Sequence, residues 1–271
     1  MTKTTLPAER FRERFQLRNP FHVNLLSEFT ATFMLLFLIT GVGVQFVLTR
    51  GLLNAYINLN IGVGFAIALC VYSTYNTSGA HLNPAVSITM VTLGLLSIPH
   101  FFGYVLVQTV GAFFGCWLDI FHLPRMQQPV FFCSFPEAHV TNSSAFFDQI
   151  FGTFILMFFI MIVIDPRNRI PKYLHPLFFG FILIVIGNSY ARDFGPRVFA
   201  YLIGYGPEVF SFHNYYFWIP IIAPMIGGPL GAWTYIALIG AHLKDPVIVV
   251  KAEPVTLRNG APDELQPLSE N

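Results

Sequence analysis

Ser78-Gly79-Ala80-His81-Leu82-Asn83-Pro84-Ala85-Val86 is the stretch on which the fold of this chain turns. It opens with turn-forming residues. Asn83 then suits a helix cap, and Pro84 suits the first helical turn, where a missing N–H costs nothing. The apolar run behind it, Ser87 to Leu96, is too short to cross a bilayer, which takes roughly 17–25 residues as a helix. A turn followed by a half-length apolar helix reads as a re-entrant element. Such backbone is tolerated at membrane depth only where it lines a cavity or is buried in protein. The positive end of that half-helix points at the midplane and repels cations, while the Asn83 amide can donate to a passing oxygen.

Longer apolar runs stand on both sides. They are Asn24 to Leu48, Ile57 to Tyr75, Ile98 to Phe121, Phe146 to Ile164, a short one from Tyr173 to about Ser189, and Tyr216 to Ile239. The first is too long for a cleaved signal peptide and lacks a small-residue cleavage site. Composition agrees: 54% of the 271 residues are apolar, 30 are Phe, and only 11% are charged. A soluble core could not bury so much apolar surface with so few charges outside. Disorder, a nucleic-acid-binding domain and an ordinary cytosolic enzyme are excluded as first readings. Cys70, Cys116 and Cys133 supply neither a disulfide framework nor a zinc pattern. No nucleophile–base pair, metal cluster or phosphate loop calls for an enzyme or a cofactor.

Six spans place both termini on one side. Lys3, Arg10, Arg12, Arg14, Arg18, Arg167, Arg169, Lys172, Lys244, Lys251 and Arg258 share that face; Arg50, Arg125, Arg192 and Arg197 fall on the other. Basic residues favour the cytoplasm, so both termini are expected there. The organisation expected is a cytoplasmic segment over 1–23, a membrane-spanning domain over 24–244 and a disordered cytoplasmic tail over 245–271. Asn142-Ser143-Ser144 would lie outside and fits the glycosylation pattern, which also arises by chance.

The spans divide into two halves. Ser27-Glu28-Phe29-Thr30-Ala31-Thr32-Phe33 opens the first, and Asp148-Gln149-Ile150-Phe151-Gly152-Thr153-Phe154 recurs in register in the second. Three spans per half make the repeats inverted. The fold expected is an all-α membrane protein of six transmembrane helices in two inverted repeats with re-entrant half-helices, its working site near the midplane.

These residues resemble the aquaporin family of water and glycerol channels. The nine residues from Ser78 to Val86 match that family's first Asn-Pro-Ala loop without a gap. Ala191-Arg192-Asp193-Phe194-Gly195-Pro196-Arg197 resembles the end of its second loop, and the likeness covers roughly Asn19 to Lys244. Asp193 after Arg192, and Pro220-Ile221 after Trp218-Ile219, resemble the glycerol-permeable branch, the aquaglyceroporins. The resemblance implies a proton-excluding, bidirectional path for glycerol, water and other small uncharged solutes, in homotetramers at the plasma membrane. It implies pore and selectivity roles for Asn83, Pro84, Ala85, Val63, Gly187, Arg192 and Asp193. It implies loop-bracing roles for Glu28, Gln149 and His81. Glu28, a carboxylate inside a span, would accept backbone N–H groups of the first loop. Simpler readings stand beside these: His81 as a buried, satisfied imidazole, and Arg192 with Asp193 as an exposed loop ion pair.

One departure matters. Ser189 and Tyr190 stand where the Asn and Pro of the second Asn-Pro-Ala belong, and about ten residues are absent before Ala191. At a maximum of about 3.6 Å per residue, the four residues between Gly187 and Arg192 cannot descend to the midplane and return. Either the chain is a naturally degenerate form or its sequence lacks a segment. The second expectation is therefore a non-conducting or dominant-negative relative that keeps the scaffold.

Overall fold

Side-chain caps and early prolines set the starts of the helices. Asn19 Oδ1 accepts the Phe21 N–H at 2.9 Å ahead of α2 (Pro20–Leu48), and Asn83 Oδ1 accepts the Ala85 N–H at 2.9 Å ahead of α4 (Pro84–Thr92). Thr141 Oγ1 accepts the Ser144 N–H at 3.2 Å ahead of α6 (Asn142–Ile164). The computed structural model describes residues 6–48, 55–119, 132–137, 139–186 and 193–244. Its other helices are α1 (Pro7–Phe15), α3 (Tyr56–Thr74), α5 (Ile98–Asp119), α7 (His175–Ile186), α8 (Phe194–Ala200), α9 (Glu208–Tyr215) and α10 (Ile219–Leu238). Among the described residues there is no strand. Five stretches among the described residues are long and apolar enough to span a membrane: Pro20–Phe46, Ile57–Thr74, Ile98–Leu118, Asn142–Ile164 and Glu208–His242. The sixth, Lys172–Ile186, is shorter, as its sequence foretells.

The helices pair as two related sets. α2 packs on α5 and α3, α6 packs on α10 and α7, and α3 meets α7 between the sets. The half-helices cross over, α4 lying against α10 and α8 against α5. Glycines set these approaches. A Cβ on Gly111 or Gly115 of α5 would stand 2.7 or 2.5 Å from the Phe29 or Phe33 carbonyl oxygen of α2. In the second set, Gly227 and Gly231 of α10 meet the carbonyls of Ile150 and Phe154 on α6. Without side chains at the crossing, backbones come into direct dispersion contact, which is how helices associate where lipid offers no hydrophobic drive.

The two sets keep register by constant offsets. Phe29 and Phe33 stand 121 residues before Ile150 and Phe154, and Gly111 and Gly115 stand 116 before Gly227 and Gly231. Thr89 of α4 sits against Gly228 as Gly195 of α8 sits against Ala112. From Gly64 to Thr89 is 25 residues, but from Gly180 to Gly195 only 15. The ten-residue shortfall seen in the sequence therefore lies between α7 and α8.

Several boundaries differ from expectation. α2 begins at Pro20 and α6 at Asn142, each four residues early, because their caps lie outside the apolar run. α4 covers Pro84–Thr92 rather than Ser87–Leu96; Gly94 at φ +73° turns the chain and ends it. α1 falls in a stretch read only for its charge. Gly187, Arg192, Asn188 to Ala191 and the expected tail 245–271 lie outside the described residues.

Candidate functional site

Past Thr74 the chain turns back toward the middle of the molecule. Gly79, Ala80 and Leu82 all take left-handed conformations, with φ of +82°, +54° and +53°. For Ala and Leu that costs roughly 1 kcal/mol or more each, so something must hold them. Glu28 of α2 does so. It is fully buried; its Oε1 accepts the Ser78 hydroxyl at 2.6 Å and the His81 N–H at 2.8 Å. Its Oε2 accepts the Leu82 N–H at 2.8 Å and the Gln108 amide at 2.9 Å. Four donors converge on one carboxylate, which suits a buried negative charge. Tyr104 adds a bond from its hydroxyl to the Ser78 carbonyl at 3.0 Å.

His81 and Leu82 give their N–H groups to Glu28, and Ala80 gives its own to the Ser78 hydroxyl at 3.1 Å. Among the described residues no donor reaches the carbonyls of Gly79, Ala80, His81 or Leu82. The same residues and Asn83 line a cavity of about 400 Å³. It runs from Asn76, Ile164 and Lys172 inward to Asn83. The far wall is aliphatic and aromatic: Ile67, Val71, Leu156, Ile160, Phe179 and Leu183. One side is thus rich in acceptors and the other is greasy.

Asn83 caps α4 through Oδ1, which leaves its amide NH₂ as a donor at the cavity wall. Pro84 and Ala85 are buried behind it in the first turn. Ser87 donates its one hydroxyl proton to the Asn83 carbonyl at 3.2 Å and receives the Gln108 amide at 3.2 Å. His81 Nδ1 lies 3.2 Å from the same oxygen, and the residue lines the cavity. The imidazole is partly buried, edge-on to Tyr104 at 5.2 Å.

The remaining expected site residues fall differently. Val63 is buried in the hydrophobic core and is not a wall of this cavity. Gln149 is buried on α6 at the place Glu28 holds on α2. Gly187 and Arg192 are outside the described residues, so the selectivity ring is not on view. Asp193 neither lines the cavity nor sits in an exposed loop. Its carboxylate accepts the Arg197 Nε at 2.6 Å and the Ser134 N–H at 2.6 Å, both side chains of the ion pair being almost wholly buried. Arg197 also donates to the carbonyls of Ser134, at 2.8 Å, and Val209, and lies over the Phe135 ring. The charge count treats Arg197 as an outer loop residue; it is instead a buried post in α8 tying three segments. Asn142 uses its amide nitrogen, the atom a glycan would take, to donate to the His213 and Asn214 carbonyls at 3.0 and 3.2 Å.

Sequence reading missed Gln108, Tyr104, Ser134 and Arg197. It also missed Tyr75, at the cavity wall, whose hydroxyl lies 2.7 Å from His175 Nδ1. The spacing of Arg197 four residues after Asp193 was the available signal, since such a pair meets on one helical face. Outside the spans, Asp165 is held down to about 2 by the Arg167 guanidinium, with Tyr235 also donating to it at 2.9 Å. Burial pushes the Cys133 thiol up to about 12, with the Asp193 charge adding to the shift. Cys70, Cys116 and Cys133 are buried thiols, none in a disulfide.

The profile of the family described as Major intrinsic protein matches residues 17–235, from the approach to α2 into α10. The chain belongs to the major intrinsic protein family. Aquaporin-9 of Mus musculus is 34% identical to it over 281 aligned residues, spanning 92% of this chain and 95% of its own. Aquaporin-10 of Homo sapiens is 30% identical, over 89% of each. Among solved structures, the aquaglyceroporin of Plasmodium falciparum superposes with a TM-score of 0.72 at 28% identity, over 81% of this chain and 97% of that one. Major intrinsic proteins are membrane channels, and the inverted helix sets described above are their architecture. The chain is an integral, multi-pass membrane protein of that fold.

Proposed function

We propose that this chain is a passive channel conducting glycerol and water in either direction while excluding protons. The observation that carries the reading is the two-sided cavity ending at Asn83. Carbonyls of residues 79–82 and the Asn83 amide replace the hydrogen bonds a solute leaves behind in water, and the aliphatic wall accepts its CH groups. A carbon-backed polyol matches both faces. The similarity to aquaglyceroporins supports the same solute class. The positive end of α4 at Asn83 raises the barrier to protons and cations. No covalent step is involved.

The non-conducting alternative is not favoured. The family match runs through both halves and across the short connection before α8. In the proposed channel Asn83, Pro84 and Ala85 form the first pore motif, and Val63, Gly187 and Arg192 contribute the selectivity ring. Glu28, His81 and Gln149 brace the loops, and Asp193 holds α8 through Arg197. We place the channel domain at 24–244, the termini in the cytoplasm, and the protein in the plasma membrane as a homotetramer.

The test is glycerol uptake and osmotic swelling in cells expressing the chain, with surface protein quantified. Uptake above background, reduced in Asn83→Asp at equal surface density, is expected. Surface-expressed protein that conducts neither solute would overturn the proposal.

A further inference from the structure

α1 buries none of its residues against the rest of the protein. Phe11 and Phe15 are 65% and 62% exposed, their rings 4.4 Å apart on one side of the helix. At about 100° per residue, Pro7, Ala8, Phe11 and Phe15 share a single apolar arc. Arg10 and Arg14 border that arc on one edge and Arg12 on the other, while Glu9 and Glu13 occupy the opposite pole. Arg18 follows in the connection to α2. The ion pairs among the described residues, Asp165–Arg167 and Asp193–Arg197, include none of these arginines.

Only four residues, Gln16 to Asn19, separate α1 from α2. At about 3.6 Å per residue they hold α1 close to the bilayer surface that α2 leaves. An apolar face edged by cations, tethered at that depth, has a definite counterpart. Phe rings lie at the acyl boundary, and guanidiniums reach up along their own stems to headgroup phosphates, which they grip as planar forks. The acidic pole faces water.

We propose that α1 is an interfacial helix that docks this end of the chain onto anionic lipid headgroups of the adjoining leaflet. Neutral lipid would satisfy the Phe face but not the three arginines along its edges. Each basic residue near a negative leaflet adds to the attraction, which salt weakens. The inference rests on the membrane-spanning fold and not on what the pore conducts.

The test is amide hydrogen exchange of the full chain in nanodiscs. One set contains phosphatidylcholine alone and the other contains phosphatidylcholine with one-third phosphatidylserine. Exchange over residues 8–18 is expected to be slower by about tenfold or more in the anionic discs. R10Q/R12Q/R14Q should abolish that difference, and F11S/F15S should remove protection in both sets, while α6 and α10 exchange as in the parent. Equal protection in neutral and anionic discs would overturn the proposal. So would protection that persists in detergent micelles, the mark of docking on another copy, or no protection in either disc.

Discussion

Gly64 and Gly180 face one another where α3 crosses α7, a Cβ on either standing 2.7 and 2.5 Å from the other's carbonyl oxygen. The two helices belong to opposite halves of the molecule, so this crossing joins them. Ile184 of α7 crowds the Gly64 position and Ala68 of α3 the Gly180 position, so neither glycine has room for a side chain. Gly180→Leu should therefore leave little folded protein, since even modest overpacking costs about 1–3 kcal/mol. Gly43→Ala, with nothing within 4 Å of its Cβ, should be close to neutral. Monodisperse yield after detergent extraction, followed by thermal unfolding, separates the two outcomes.

Glu28→Gln keeps the shape of the brace and removes its charge. The new NH₂ would confront two of the four donors now aimed at the carboxylate. Leaving a buried donor unmet costs about 1–3 kcal/mol, which the strained loop at Ala80 and Leu82 would have to absorb. Glycerol permeability per surface channel is expected to fall severalfold with expression largely kept. Unchanged permeability would mean that the loop does not depend on Glu28.

Arg197→Lys should be nearly as damaging to stability as Arg197→Ala. An ammonium cannot reach Asp193, Ser134 and Val209 together as the guanidinium fork does. Breaking one partner from a buried ion pair costs about 3–5 kcal/mol. Thermal unfolding of both variants in the same detergent tests this; a Lys variant as stable as the parent would contradict it.

Asp165 gives a pH signature. Its carboxyl sits at about 2 in the folded protein against an ordinary 3.8. A depressed acid stabilises the fold above its unfolded pKa and stops doing so as pH falls through the folded one. The contribution is about 2 kcal/mol at neutral pH. Asp165→Asn should lower stability by a constant amount from pH 8 to pH 5, with the gap closing toward pH 2. A gap that widens in acid would show that the sign is wrong.

Much of the fold was legible because membrane spans announce themselves by length and polarity alone. Asn83-Pro84 was legible for the same local reason: a cap and a first-turn proline act on their own helix. Helix starts at Pro20 and Asn142 were not, since polar caps lie outside any apolar window. Glu28 could be singled out as a costly charge, yet its partner Gln108, and Tyr104 that holds the same loop through Ser78, look like ordinary polar residues of a span 76–80 positions away. Arg197 was misplaced because a charge near the end of a span counts as loop until its partner is known. In α1 the charges were counted but the helical arrangement that sorts them onto one pole and two edges was not drawn.

The uneven spacing of the two halves marks where one layout of helices is reached with different lengths of chain. Thr89 to Gly115 takes 26 residues, while Gly195 to Gly231 takes 36, so the half that is ten shorter before α8 is ten longer after it. The halves thus differ in length on either side of α8, and by five residues between Phe29–Gly64 and Ile150–Gly180, whereas each paired set of crossings keeps its own offset. An engineer splicing a tag or sensor into this protein should work at the exposed residues Leu202 to Gly204, leaving uncut the paired spans and the Val209 carbonyl that Arg197 holds.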